Sequence, residues 1–136
     1  MLIVDAGPLY AAAARRDRNH RACVDLLSGA ERPILVPALV ATEVCYLLSD
    51  RIGAHAELAF ARSVAEGELI VEPVLDADWD RIADLTERYL HLPLGVVDAS
   101  VVALAERHRA PAIATLDRRH FSVVRPRHVP GFTLLP

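Results

Sequence analysis

The 136-residue chain predicts a single α/β domain, three layers deep, with a largely parallel central sheet. Three observations carry that expectation. Short aliphatic runs of buried-strand length alternate with longer segments of helical periodicity. Proline or glycine marks most changes of period. A chain of this size, 53% hydrophobic, fills one core, and no linker, internal repeat or low-complexity tract divides residues 1–136.

The elements follow in order. Leu2–Val4 suits a buried strand, ended by Asp5-Ala6-Gly7-Pro8. Pro8 fits the first turn of a helix over Leu9–Ala14. A second helix covers His20–Leu27, with Ala22, Cys23, Leu26 and Leu27 on one face, and closes at Ser28-Gly29. Ile34–Val36, between two prolines, reads as a strand. Pro37 opens a helix from Ala38 to about Ser49, where Val40, Val44, Leu47 and Leu48 keep helical spacing. His55–Glu66 is amphipathic and ended by Gly67. Leu69–Val71 is a strand. Asp76 to about Leu90 is a long helix whose early acids, Asp76, Asp78 and Asp80, suit the positive end of its dipole. Pro93-Leu94-Gly95 forms a loop before a helix over Val97–Arg107. Pro111 starts the strand Ala112–Ala114, a loop runs through Arg118-Arg119-His120-Phe121, and Phe132–Leu135 closes as a strand.

Composition excludes several functions. Net charge is −3 with a pI near 6.0, so no global positive field advertises a nucleic-acid binder. All 15 basic residues are arginines, and without lysine there is no Schiff base, no P-loop lysine and no receiver-domain lysine. Cys23 and Cys45 are too few and too far apart for a zinc site or a disulfide framework. No stretch approaches the roughly 20 apolar residues of a membrane span. The start lacks a signal-peptide pattern, so the expected setting is soluble and cytoplasmic. Arginines cluster at Arg15-Arg16-Asp17-Arg18, Arg107-His108-Arg109, Arg118-Arg119-His120 and Arg125-Pro126-Arg127-His128. Guanidinium forks suit phosphate oxygens, and Arg118 and Arg119, in the cluster directly after Asp117, are the best candidates for contact with a backbone phosphate.

Four acids interrupt apolar runs: Asp5 after Leu2-Ile3-Val4, Glu43 within Leu39–Val44, Asp98 within Val96–Val102, and Asp117 after Ala112–Leu116. Carboxylates in or beside core elements are costly unless hydrogen-bonded, paired or bound to metal. Each has a plainer reading: Asp98 or Asp5 as a helix cap or turn residue, Glu43 as the partner of an arginine, Asp117 as a loop acid. Yet parallel sheets place ligands beyond the carboxyl ends of their strands. Asp5 and Asp117 both follow strands, and Glu43 and Asp98 lie near helix starts that reach the same edge. Clustered hard oxygens match Mg²⁺ or Mn²⁺, which serve in-line phosphoryl displacement. Like charges held so close would raise some of their pKa values. Thr115, two residues before Asp117, is placed to orient a carboxylate or a water and is a candidate substrate contact. Among His20, His55, His91, His108, His120 and His128, only His120 adjoins the candidate site.

These residues resemble the PIN-domain ribonucleases, especially VapC-type toxins. The resemblance rests on Ile3-Val4-Asp5, on Pro37-x-x-Val40-x-x-Glu43-Val44, and on Leu94-Gly95-Val96-Val97-Asp98-Ala99-Ser100. It rests equally on Ala114-Thr115-Leu116-Asp117-Arg118-Arg119-His120-Phe121. It implies an α/β/α PIN-like fold and a Mg²⁺- or Mn²⁺-dependent endoribonuclease. Its catalytic quartet would be Asp5, Glu43, Asp98 and Asp117, with Asp5, Asp98 and Asp117 as metal ligands and Glu43 acting through water. It also implies a homodimer and a cognate VapB-type antitoxin. One departure is visible: many relatives carry serine or threonine shortly after the first aspartate, where this chain has Ala6-Gly7-Pro8, leaving Asp5 without a neighbouring hydroxyl. Two rivals are weaker. A haloacid-dehalogenase-like phosphatase needs an acid at position 7 and a downstream lysine, and a non-catalytic PIN-like binding module does not need all four acids.

Overall fold

The computed structural model describes all 136 residues. Strands β1 (Leu2–Val4), β2 (Ile34–Pro37), β3 (Ile70–Glu72), β4 (Ala112–Ala114) and β5 (Thr133–Leu135) form one sheet in the order β3-β2-β1-β4-β5. Every pairing is parallel, so the expected largely parallel sheet is wholly so. Helices α1 (Ala6–Ala13), α2 (His20–Gly29), α3 (Ala38–Arg51), α4 (Ala54–Ala65), α5 (Asp76–Arg88), α6 (Val96–His108) and the single turn α7 (Arg118–Phe121) connect the strands and flank them.

Most expected elements are present with small shifts at their ends. α1 begins at Ala6 rather than Leu9, because proline has no amide hydrogen to lose within a first helical turn and Pro8 sits there without cost. The expected loop through Arg118–Phe121 is instead one helical turn. The Asp117 carboxylate caps it by accepting from the His120 amide at 3.1 Å. That cap satisfies one of the free amides that open any helix.

Strand order locates the working edge. The chain builds outward from β1 through β2 to β3, then returns to the other side of β1 for β4 and β5. The reversal lies between β1 and β4, and a crevice opens there beyond the strand ends. Register decides what faces it. Ile3 pairs with Ile113 and Val4 with Ala114, so the next residues, Asp5 and Thr115, emerge side by side. The Asp5 amide still bonds the Ala114 carbonyl at 2.9 Å.

The core is aliphatic. Ile3, Val4, Val36, Val40, Val44, Leu85, Val101, Val102, Ile113 and Ala114 are fully buried. One buried ion pair interrupts the apolar packing. Arg81 of α5 grips Glu106 of α6 with both forks, Nε to Oε2 at 2.8 Å and Nη2 to Oε1 at 2.7 Å. The Arg127 amide adds a third bond at 2.9 Å. Burial alone would raise the Glu106 pKa, but Arg81 and the Arg127 amide hold it below the usual glutamate range. Nearby, Arg107 bridges Glu72 and Asp78 at 3.2 Å each, so this member of the Arg107–Arg109 cluster is a structural tie rather than a phosphate contact. Asp78 also accepts from the Leu75 amide at 2.9 Å, which caps α5 as its early position suggests.

Breaking a buried pair costs more than the pair contributes, because one charge is left without a partner. Glu106→Ala should therefore lower unfolding stability by about 3–5 kcal/mol in a urea titration, and Arg81→Met with Glu106→Leu should recover most of it. A loss below about 1 kcal/mol in the single variant would contradict a desolvated pair.

Candidate active site

Asp5 is the anchor of the crevice. It is only 7% exposed, an expensive position for a carboxylate without partners. Two donors satisfy it: the Ala6 amide reaches Oδ1 at 2.7 Å and the Thr115 hydroxyl reaches Oδ2 at 2.8 Å. The Thr115 oxygen in turn accepts from the Asp117 amide at 3.0 Å. Thr115 is 1% exposed, so it does not present itself to a substrate. Its hydroxyl orients a carboxylate, and the substrate contact anticipated for it gives way to that role.

Asp117 is held by the next link. Its Oδ1 accepts from the His120 amide at 3.1 Å and its Oδ2 meets His120 Nδ1 at 2.5 Å. Asp98 sits half-buried in the first turn of α6, two residues after the helix begins; Gly95, not Asp98, occupies the capping position. Glu43 lies in the second turn of α3 and is exposed, beside the buried stripe of Val40 and Val44. No arginine pairs with it.

The acids influence one another's titration. Burial raises the Asp98 pKa to about 6, and the negative charges of Asp5 and then Asp117 add to the effect. Burial likewise raises Asp5, against the lowering effect of Thr115 and Ala6, with a further push from Asp117. Glu43 is raised by burial and then by Asp5. The His120 pKa is raised too, chiefly by its bond to Asp117, which favours the charged ring where the other shifts favour neutral carboxyls.

Comparison with known proteins agrees with this geometry. The PIN domain family model matches residues 2–125. The chain belongs to the PIN-domain family. Ribonuclease VapC26 of Mycobacterium tuberculosis is 33% identical over 135 residues, 99% of this chain and 100% of that protein. The fold matches the crystal structure of M. tuberculosis VapC20, described as a sarcin-ricin loop cleaving toxin. That match has a TM-score of 0.77 at 20% identity over 83% of this chain and 87% of VapC20. FitAcB of Neisseria gonorrhoeae matches with a TM-score of 0.63 at 12% identity, over 87% of this chain and 88% of that one.

The donor set of this PIN domain fits a divalent cation. A carboxylate oxygen of Asp98, one of Asp117 and a ring nitrogen of His120 lie within 4.8 Å of one another, and Asp5 is joined to Asp117 through the Thr115 hydroxyl. Hard carboxylate oxygens suit Mg²⁺ or Mn²⁺, and a dication at their centre would remove the mutual repulsion. Arg118 and Arg119 are both exposed on α7, and the Arg118 guanidinium bonds the Pro136 carbonyl. The remaining histidines stand apart. His20 and His128 bond the carbonyls of Ala11 and Ala110, and His108 faces Glu72 at 3.7 Å. Sequence reasoning missed the role of Gly7. A Cβ there would lie 3.3 Å from Leu116 Cβ, so a bare glycine lets α1 close on the segment carrying Thr115 and Asp117.

The raised Asp98 pKa makes stability depend on pH. Its folded value, about 6, exceeds the ordinary 3.8, so the folded protein binds this proton more tightly. Stability from this group is complete below about pH 4 and lost as pH rises to about 6. In EDTA at pH 7, Asp98→Asn should therefore raise unfolding stability by about 1–2 kcal/mol, allowing for solvent screening of a half-buried group. The gain should vanish near pH 4. Equal or lower stability of the variant at pH 7 would refute the raised pKa of Asp98.

Proposed function

We propose that this chain is a metal-dependent endoribonuclease toxin that hydrolyses RNA phosphodiester bonds and is neutralised by a cognate VapB-type antitoxin. The observation that carries the reading is geometric: at the strand-order reversal Asp5 and Asp117 share the Thr115 hydroxyl, and a carboxylate oxygen of Asp98 lies within 4.8 Å of one of Asp117; Glu43 is assigned to the same crevice. Full-length similarity to a ribonuclease supports it. In this reading Asp5 and Asp98 ligate Mg²⁺, or Mn²⁺ in its place, and Asp117 ligates it directly or through water. The ion, when bound, supplies Lewis acidity that makes a water nucleophilic at neutral pH and offsets the charge of the phosphate.

The protein's own groups do the rest. Glu43 is the least buried acid of the four, and partial desolvation of its carboxyl group and then the charge of Asp5 raise its pKa. It is suited to orient the attacking water and take its proton at the carboxylate. Thr115 keeps Asp5 in one rotamer throughout. Arg118 and Arg119 stand beside the cluster to hold the flanking phosphates of the RNA.

The partner reading also has a surface. A cleft of about 1280 Å³ is lined by α1, α2, α3, α4 and the loops between them, including the apolar Leu9, Ile52 and Phe60 and the arginines Arg15, Arg16 and Arg51. An apolar floor edged by guanidinium groups suits an amphipathic segment with acidic residues. The antitoxin is the occupant we assign to it. Apolar surface beyond the cleft, such as Tyr46 and Trp79, 68% and 46% exposed, is available for a homodimer. No helix is long and apolar enough to cross a membrane, consistent with action on RNA in the cytoplasm.

Purified protein should cleave RNA with Mg²⁺ or Mn²⁺ and stop on addition of EDTA. Asp5→Asn or Asp98→Asn should lower the rate at least 100-fold, about 2.7 kcal/mol or more of transition-state stabilisation. Unchanged cleavage by both variants would sink the assignment. Binding of RNA without cleavage by the wild type would favour an interaction module instead. Expression should arrest growth, and co-expression of the adjacently encoded antitoxin should relieve it.

A further inference from the structure

We propose that His120 is a positioning residue that fixes the Asp117 carboxylate for the metal, and is not itself a ligand or a proton donor to RNA. The inference rests on the metal-dependent reading above. It starts from an asymmetry in the bonding: both oxygens of Asp117 are held by a single residue. The His120 amide takes Oδ1 at 3.1 Å and Nδ1 takes Oδ2 at 2.5 Å. A carboxylate gripped at both oxygens cannot rotate about its terminal torsion, so its free lone pairs keep a fixed aim. Hydrogen-bonded carboxylate ligands are a general means of tuning metal affinity.

The ring nitrogen nearest the cluster is already engaged: Nδ1 is committed to Asp117 at 2.5 Å. The side chain is 19% exposed, which agrees with a residue packed into the rim rather than extended over a substrate. The link continues inward, because the Asp117 amide bonds Thr115 and Thr115 bonds Asp5. One hydrogen-bonded line, His120–Asp117–Thr115–Asp5, therefore sets the relative placement of two candidate ligands.

The test is Mn²⁺ binding to the RNA-free protein by titration calorimetry, with pulsed EPR of the bound ion. His120→Ala should weaken Mn²⁺ binding about 10–100-fold while metal-free protein keeps its circular dichroism and cooperative unfolding. His120→Asn places an amide nitrogen where Nδ1 lies and should recover most of that loss. His120→Gln reaches the other ring position and should not. If the alanine variant fails to fold, the asparagine–glutamine pair carries the comparison. Wild-type affinity in His120→Ala, or no advantage of asparagine over glutamine or alanine, would overturn the proposal. So would nitrogen modulation in the wild-type EPR signal that is lost in His120→Asn, which would make the ring a direct ligand. A wild-type protein that binds no Mn²⁺ would instead overturn the metal reading beneath it.

Discussion

The hydrogen bond from Thr115 to Asp5 depends on one constraint, the parallel register of β1 and β4, and the remainder of the site depends on that bond. With Val4 opposite Ala114, the first residues past the two strands are an acid and a hydroxyl donor, 2.8 Å apart. A slip of one residue would turn every side chain of the strand to the other face and leave Asp5 buried against an apolar neighbour. The register is secured by wholly apolar contacts: Ile3, Val4, Ile113 and Ala114 are all fully buried. The hydrophobic core thus does more than stabilise the fold. It specifies which polar atoms meet at the crevice.

The same placement opposes stability. Asp5 and Asp98 are both driven upward in pKa by burial and by their neighbours, so the folded chain at neutral pH holds charges that it would rather neutralise. The cost at Asp98, about 1–2 kcal/mol after solvent screening, is affordable against a typical total of about 5–15 kcal/mol, but not negligible. The compensating elements lie elsewhere, in the continuous aliphatic core and in the α5–α6 clamp of Arg81, Glu106 and Arg127. Strain concentrated at one crevice and relieved by a ligand is the usual signature of a functional site rather than of a structural one.

Much of this was legible in the sequence for identifiable reasons. The strands announced themselves because each is a short apolar run with proline or a charged residue at its edges, and their parallel pairing followed from the helices between them. The acids were legible because each interrupts an apolar run. Sequence spacing did not reveal that Arg118–Phe121 forms a helical turn. Four residues carry too little periodicity, and the turn exists because the Asp117 side chain caps it. Nor did spacing separate the arginine clusters. Arg107 and Arg118 both sit in basic triplets, yet the first is absorbed by Glu72 and Asp78 from distant elements while the second lies exposed beside the cluster. Partners 29 and more residues away cannot be inferred from local pattern.

The bare Ala6-Gly7-Pro8 segment changes meaning once the sheet is assembled. Without a hydroxyl on α1, Asp5 looked poorly supported; instead the support comes across the sheet from Thr115. Gly7 takes part in the exchange, since any Cβ there would press within 3.3 Å of Leu116, the residue between Thr115 and Asp117. A hydroxyl on α1 could have oriented Asp5 alone. The Thr115 oxygen donates to Asp5 and accepts from the Asp117 amide at the same time, which a hydroxyl with one donor and two acceptor positions permits. Thr115 therefore brings two acids under the control of one side chain, and Gly7 leaves room for the segment that carries it.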